Sequence, residues 1–331
     1  MIASVAFQKF KALRNTSLRL APFNLVIGPN GSGKTSLIQA LLQLRALSKL
    51  ALDDLSTLQA PREGGPGLLF EFTPPHAAIR ASMICISDLQ CDTLLIEPPD
   101  APDWLALKRK IGHIRAYRLD HYAMAEPAPR GLNSELAPNG HNLSAVLAGM
   151  RERSPEAFAN LTAEVLRLTP EFSGIDFATG PGNTVSLGLV LGNGGAMIMA
   201  DSLSQGTLYL LAMLSLAFDP APPAVVCIEE IDRGVHPRIL REIRDTLYRL
   251  SYPADFGLDR PPVQVIATTH SPFLLDLFRE HPEEVVITHK RGAVGTFHRL
   301  ADRTDLAELM QEGSLGDMWF SGILGGVPDD P

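Results

Sequence analysis

The chain has 331 residues, 45% of them hydrophobic, and 37 acidic against 29 basic side chains give it a formal net charge of −8. That is an ordinary globular composition with enough apolar content for a substantial core, and its acidic balance argues against holding nucleic acid by bulk charge alone, while leaving room for a local basic face. Cys85, Cys91 and Cys227 form no CxxC or Cys/His cluster, and neither a signal peptide nor a run of about 18 apolar residues occurs, so we expect no zinc site, disulfide framework or membrane association, and a cytoplasmic location.

In chain order, Ile2 to Lys9, Leu18 to Leu20 and Phe23 to Ile27 read as short strands, with Asn15 marking the turn between the first two. Gly28-Pro-Asn-Gly-Ser-Gly-Lys-Thr35 follows, and then a helical stretch to about Leu50. From Leu68 to Ile96, three apolar runs separated by Pro pairs and charged turns predict an antiparallel lobe. Ser154-Pro155-Glu156 offers a capping hydroxyl, a Pro at the first helical position and an acid in the first turn, so a helix is expected from there to about Leu168. Val185 to Leu191 and Ala196 to Met199 flank Gly192-Asn-Gly-Gly195 as a hairpin. Beyond it, strands alternate with helices, as in a parallel sheet. No repeat or heptad array appears, so there is no long coiled coil. Gly313 to Val327 carries Met318-Trp319-Phe320 and Ile323-Leu324 among glycines with no clear helix. Such an apolar tail either packs on its own domain or docks a partner.

The segment Gly28 to Thr35 is a complete GxxxxGK[ST] phosphate-binding loop in its strand-to-helix setting. Glycines let successive backbone N–H groups turn inward around phosphate oxygens, and the following helix adds its free N-terminal donors. Asn30, Gly31, Ser32, Gly33 and Ser36 are assigned to this cradle, Lys34 to the β and γ phosphates, and Thr35 to the bridging Mg²⁺. Ala224 to Ile228 is a buried-strand pattern ending in Glu229-Glu230. One carboxylate there suits the metal, assigned to Glu229, and the next suits polarising water, assigned to Glu230. His270 follows the strand Val263 to Ala267 and is placed either to donate to the γ phosphate or to cap the helix beginning near Pro272. Ser204, before the apolar helix Leu208 to Phe218, serves either as a plain helix cap or, with Gly206, as part of an anion-binding helix start.

The P-loop, Asn139-Gly-His-Asn-Leu, Leu203-Ser-Gln-Gly-Thr-Leu, Ile228-Glu-Glu-Ile-Asp-Arg-Gly-Val-His-Pro and Thr268-Thr-His-Ser-Pro, taken in this order, resemble the ABC-type ATPase heads of the structural-maintenance-of-chromosomes and RecF-like branch. More narrowly they are similar to the small prokaryotic AAA family ATPases with ABC-type motifs, including overcoming-lysogenization-defect-type heads and ATPase subunits of anti-phage systems. The resemblance spans roughly residues 1 to 300 and implies an α/β P-loop NTPase fold, with a core at 1–50 and 184–300, an inserted antiparallel and helical lobe at about 60–183, and a C-terminal helix and apolar tail at 301–331.

It also implies a head-to-head homodimer with ATP and Mg²⁺ sandwiched between the P-loop of one copy and the signature of the other. Carried over, Ser204 and Gly206 contact the partner's γ phosphate, Glu230 is the catalytic base, His270 the switch histidine, and Asp232 lies in the loop crossing the dimer interface. Ile231-Asp232 replaces the Pro-Glu common in the group, and Glu229 replaces the Asp usual in transporter ATPases; both changes keep a carboxylate. A glutamine-loop residue is left unassigned between Gln59 and Gln90.

No acidic cluster after His270 suggests a nuclease, so a nuclease or toxin-like effector is expected on another chain. The basic residues Lys108, Arg109, Lys110, Arg115 and Arg118 read either as a solvated face or as a DNA-facing one. The expected function is that of an ATP-hydrolysing motor or sensor subunit in a DNA-related or anti-phage complex. Two competing readings are a nucleotide-gated scaffold with negligible hydrolysis and a transporter ATPase, against which stands LSQGT in place of a signature ending in Gly-Gly-Gln.

Overall fold

The computed structural model describes residues 1–50, 65–131, 135–192 and 194–325. The chain divides into two compact units, the first comprising Met1–Ala116, Pro223–Ile231 and Pro261–Pro331, the second Tyr117–Pro222 and Asp232–Arg260.

In the first unit the described residues form an eleven-stranded sheet. Its parallel part comes from three short apolar segments, β3 (Phe23–Ile27), β12 (Val225–Ile228) and β13 (Gln264–Thr269), in which every residue is buried. Continuous burial of this kind marks strands covered on both faces. With β14 (Val285–Arg291) they run parallel in the order β14-β3-β13-β12, with Ile287 opposite Ile27 and Ala267 opposite Leu25. The P-loop strand β3 therefore lies between two parallel neighbours. Helix α1 (Lys34–Ser48) leaves its end and buries Leu37, Ile38, Leu41 and Leu44.

The antiparallel part consists of β1 (Ile2–Phe10), β2 (Leu13–Arg19), β4 (Gly67–Phe72), β5 (Arg80–Cys85) and β6 (Cys91–Glu97), in the order β6-β5-β4-β1-β2. Here the residues alternate, as in Leu68, Phe70 and Phe72 of β4, so one face is buried and the other less so. The three runs expected within an inserted lobe thus extend the main sheet edge to edge. Strand β15 (Val294–Arg299) pairs with β14 antiparallel and joins β2 to the parallel part. Asn15 does not turn the chain: it pairs with Gln8 inside β2, and the reversal falls at Lys11 and Ala12, with φ of 49° at Lys9 and 53° at Lys11. Buried Leu13 and Leu18 anchor the strand toward both ends, while the polar residues between them that suggested a turn are exposed or half-buried.

A second expectation is corrected in the β5–β6 hairpin, where Cys85 and Cys91 are opposed in register and joined as a disulfide. Their six-residue separation carries no such signal until the hairpin brings them together. Helix α2 (Trp104–Gly112) and strand β7 (Ile114–Tyr117) complete the sheet side of the unit. Lys108, Arg109 and Lys110 lie on α2, and Arg115 donates to the Gly112 carbonyl at its C-terminal end, whereas Arg118 belongs to the second unit.

The tail is helical where no clear helix was expected. After α8 (Pro272–Asp276) and α9 (Leu306–Glu312), helix α10 (Leu315–Phe320) starts at Ser314, whose hydroxyl accepts from the Asp317 N–H at 3.0 Å. The Gly316 N–H donates to Asp276 of α8 at 2.8 Å, and Leu315, Met318 and Leu324 are buried, so this segment packs onto its own unit.

The second unit holds α3 (His121–Ala125), α4 (Leu143–Arg153), α5 (Pro155–Leu168), α6 (Gln205–Ala217) and α7 (Pro237–Ser251). Beside them is a small sheet of β8 (Ala128–Pro129), β9 (Phe172–Gly180), β10 (Thr184–Leu191) and β11 (Met197–Met199). Helix α5 spans the expected residues, although the Ser154 side chain makes no capping bond. Helix α6 is apolar on all sides and accordingly buried from Gly206 to Ala217. Asn139 and Asn142 brace the loop before α4, Asn139 accepting from the His141 N–H and Asn142 from the Ala137 N–H.

Candidate nucleotide site

In the first unit the C-terminal ends of β3, β12 and β13 converge on one cleft of about 290 Å³, where ligands of parallel α/β sheets bind. It is lined by Asn30, Gly31, Gly33, Lys34, Thr35, Ser36, Glu229, Glu230 and His270, all predicted from sequence.

The loop is shaped by close approaches. Gly31 and Gly33 are left-handed, with φ of 72° and 108°. A Cβ on Gly33 would lie 2.5 Å from Leu13, and one on Gly28 would lie 1.7 Å from the Thr288 hydroxyl. Ser32 is fully buried: its hydroxyl donates to the Pro29 carbonyl at 2.8 Å and lies 2.5 Å from the Thr288 hydroxyl, which also bonds the Ile27 carbonyl. Its side chain therefore holds the loop's shape from behind, and its backbone N–H also donates to the Pro29 carbonyl, at 3.4 Å.

Lys34 is buried and donates to the carbonyls of Gly28 and Pro29 at 2.7 and 2.9 Å. The Thr35 hydroxyl donates to Glu229 Oε2 at 3.1 Å, which joins the start of α1 to the end of β12. Glu230 follows with φ of 52°, a left-handed conformation that costs a non-glycine residue about 1–3 kcal/mol. It is held by the end of β13: the Glu230 N–H donates to the Thr268 hydroxyl at 3.0 Å and the Ile231 N–H to the Thr268 carbonyl at 3.0 Å. His270 leads into Ser271, and it is the Ser271 hydroxyl that caps α8 through the Leu274 N–H. Capping thus falls to Ser271, and His270 is exposed in the cleft.

Lys11 and Ala12 of the cleft went unread in the sequence, and Thr268, quoted there within the Thr268-Thr-His-Ser-Pro motif, was given no role. Lys11 bonds Gln39 of α1 through its ammonium, which burial makes less basic, and its N–H donates to the Asp88 carbonyl at 2.7 Å. Of the glutamine-loop candidates, Gln90 lies in the β5–β6 turn away from the cleft lining, and Gln59 lies outside the described residues.

The residues present fit a magnesium nucleotide. Among the described residues no group of three or more His, Cys, Asp or Glu side chains converges as a metal cage. Mg²⁺ on a nucleotide does not need one, because it keeps several waters and draws its other ligands from phosphates and one or two protein oxygens. The Thr35 hydroxyl and the Glu229 carboxylate, 3.1 Å apart, would supply such a pair.

A family model described as "AAA domain, putative AbiEii toxin, Type IV TA system" matches residues 23–79 and 77–276. The chain belongs to this AAA-domain family. The P-loop, β12 and β13 all lie within the matched residues. Among solved structures, the SMC head domain from Thermotoga maritima is similar in fold, with a TM-score of 0.52 at 12% identity over 90% of this chain and 98% of that one. No curated protein matches the sequence. Among the described residues no helix is long and apolar enough to cross a membrane.

The signature residues lie in the second unit. Ser204 caps α6, its Oγ accepting from the Thr207 N–H at 3.1 Å and lying 2.8 Å from the Thr207 hydroxyl. Gly206, buried in the first turn of α6, has room for a methyl group: a Cβ there would meet Ile239 at 3.6 Å and Ser204 Oγ at 3.9 Å, ordinary contacts. Gln205 donates to the Arg233 carbonyl at 3.3 Å and packs against Gly234.

Proposed function

We propose that this chain binds and hydrolyses ATP as a homodimer of heads, each P-loop cleft being closed by the partner copy's Ser204 and Gly206. The observation that carries the hydrolysis reading is the pairing of Thr35 with Glu229 beside a second carboxylate, Glu230, in one cleft. In this reading the P-loop N–H groups and Lys34 take the phosphate oxygens, Lys34 exchanging its carbonyl bonds for them, and Thr35 with Glu229 hold the metal. When bound, Mg²⁺ neutralises charge developing on the β and γ phosphates. Glu230 accepts the proton of the attacking water, and His270 donates to the γ phosphate. The left-handed turn at Glu230, fixed through Thr268, supports a carboxylate held in position before the substrate arrives.

The ATP cycle then acts as a switch for a separate effector chain, nuclease or toxin-like, in a DNA-related or anti-phage system. The family description, which names a toxin of a type IV toxin–antitoxin system, supports a role among several chains. The deciding experiment is the solution mass of Glu230→Gln with and without Mg-ATP. A shift from monomer to dimer is expected. An unchanged mass with ATP binding demonstrated would remove the sandwich from this proposal.

A further inference from the structure

A second cavity in the first unit, about 550 Å³ and nearly twice the nucleotide cleft, lies on β14 and β15. Alternation along β14 sends Thr288 toward the P-loop and the flanking Ile287 and His289 to the opposite face. Across the antiparallel register, Thr296 faces His289 and His298 faces Ile287, so both strands present donors to the same space. The two imidazoles meet edge to face with centroids 4.7 Å apart, and Thr296 Oγ1 lies 3.1 Å from His298 Nε2. Arg291 stands at the rim with no carboxylate partner among the described residues. Buried Leu300 and Leu324 supply an apolar floor, and the backbone at Gly325 closes against His289.

The nearby charges are largely committed. Arg303 holds Asp305 through two bonds of 2.9 and 2.6 Å and also donates to the Ile323 carbonyl, while Arg19 pairs with Asp302 at 3.3 Å. Arg299 donates to Asn24 and to the carbonyls of Arg19 and Glu283. The cavity's charged lining is therefore basic, with Asp305 acting on Arg303 and Asp302, Glu283 and Glu284 on Arg299, while Arg291 has no such carboxylate among the described residues. Burial first, then His298, Arg303 and Arg291, hold His289 below the usual histidine range, and no carboxylate acts on it in the other direction. A metal cation is disfavoured among these guanidinium groups. A group with several acceptor oxygens suits a guanidinium fork and an imidazole, and the volume is that of a small-molecule pocket.

We propose that this cavity is a ligand site separate from the P-loop, taking a small organic phosphate monoester with its phosphoryl oxygens on Arg291, His298 and Thr296 and its apolar body on Ile287, Leu300 and Leu324. The test is calorimetric titration of the full chain and of Lys34→Ala with 1-naphthyl phosphate and neutral 1-naphthol. The phosphate ester should saturate both proteins with the same affinity and bind at least tenfold more tightly than the alcohol. Arg291→Glu and, independently, His298→Gln should each weaken it at least tenfold at an unchanged thermal midpoint. Four results would each overturn the site: no saturable binding up to millimolar ester, loss of binding in Lys34→Ala, equal affinity for the alcohol, or indifference to both substitutions.

Discussion

The P-loop and the LSQGT segment are both glycine-bearing starts of helices, yet they are constrained from opposite directions. At the P-loop the constraint is internal, since Thr288 lies where a side chain on Gly28 would go and Leu13 where one on Gly33 would go. At Gly206 the chain itself leaves room for a methyl group. A glycine that its own fold does not require is explained if something from outside must approach its backbone closely. The comparison thus separates a glycine loop that its own fold requires from a helix start that its own fold does not, and the proposed dimer would give the second its reason.

The largest effects fall at the P-loop cleft. Lys34→Ala should abolish nucleotide binding, and Glu230→Gln should cut ATP turnover about 10²–10⁴-fold with binding retained, as loss of a positioned general base does. Turnover assays paired with equilibrium binding separate the two; a Glu230→Gln protein that turns over normally would move the base elsewhere in the cleft.

A paired glycine test sharpens the contrast itself. Gly28→Ala should lower stability by about 1–3 kcal/mol, the scale of overpacking a tight site, because the new methyl collides with the Thr288 hydroxyl. Gly206→Ala should leave the thermal midpoint unchanged or slightly raised, since alanine is the better helix former by up to ~1 kcal/mol, and should still cut turnover at least about tenfold. Full turnover in Gly206→Ala would show that no partner phosphate approaches this glycine.

The contrast also explains what could be read from the sequence. The P-loop, the Glu229-Glu230 strand end and the His270 strand end were legible because each is a local strand-to-loop step, with its chemistry inside a few residues. The parallel strands were legible because burial on both faces leaves continuous apolar runs. Lys11 was not, since its place in the cleft depends on how the β1–β2 turn meets α1 and the β5–β6 turn, contacts made through Gln39 and Asp88 far along the chain. Cys85 and Cys91 were missed for the same reason, their meeting being a matter of hairpin register. The tail helix α10 was obscured by its glycines, although Gly316 is needed there: a Cβ would lie 2.8 Å from the Pro272 carbonyl oxygen.

The smallest expected effect tests how far the internal constraint reaches into binding. Thr288 touches no ligand position; its hydroxyl ties β14 to the Ile27 carbonyl at the end of β3 and to the buried Ser32 hydroxyl behind the loop. Thr288→Val keeps the shape and removes these bonds, at a cost of about 1 kcal/mol, the net value of a typical buried hydrogen bond. Ser32 retains its bond to Pro29, so the loop should loosen without collapsing. If the P-loop N–H groups are preset by this buttress, ATP affinity should fall about fivefold, matching that energy, with the turnover of the bound state unchanged. A stability loss with unaltered affinity would mean that the loop is set by its glycines and Leu13 alone, and that β14 supports the fold of the cleft without tuning it.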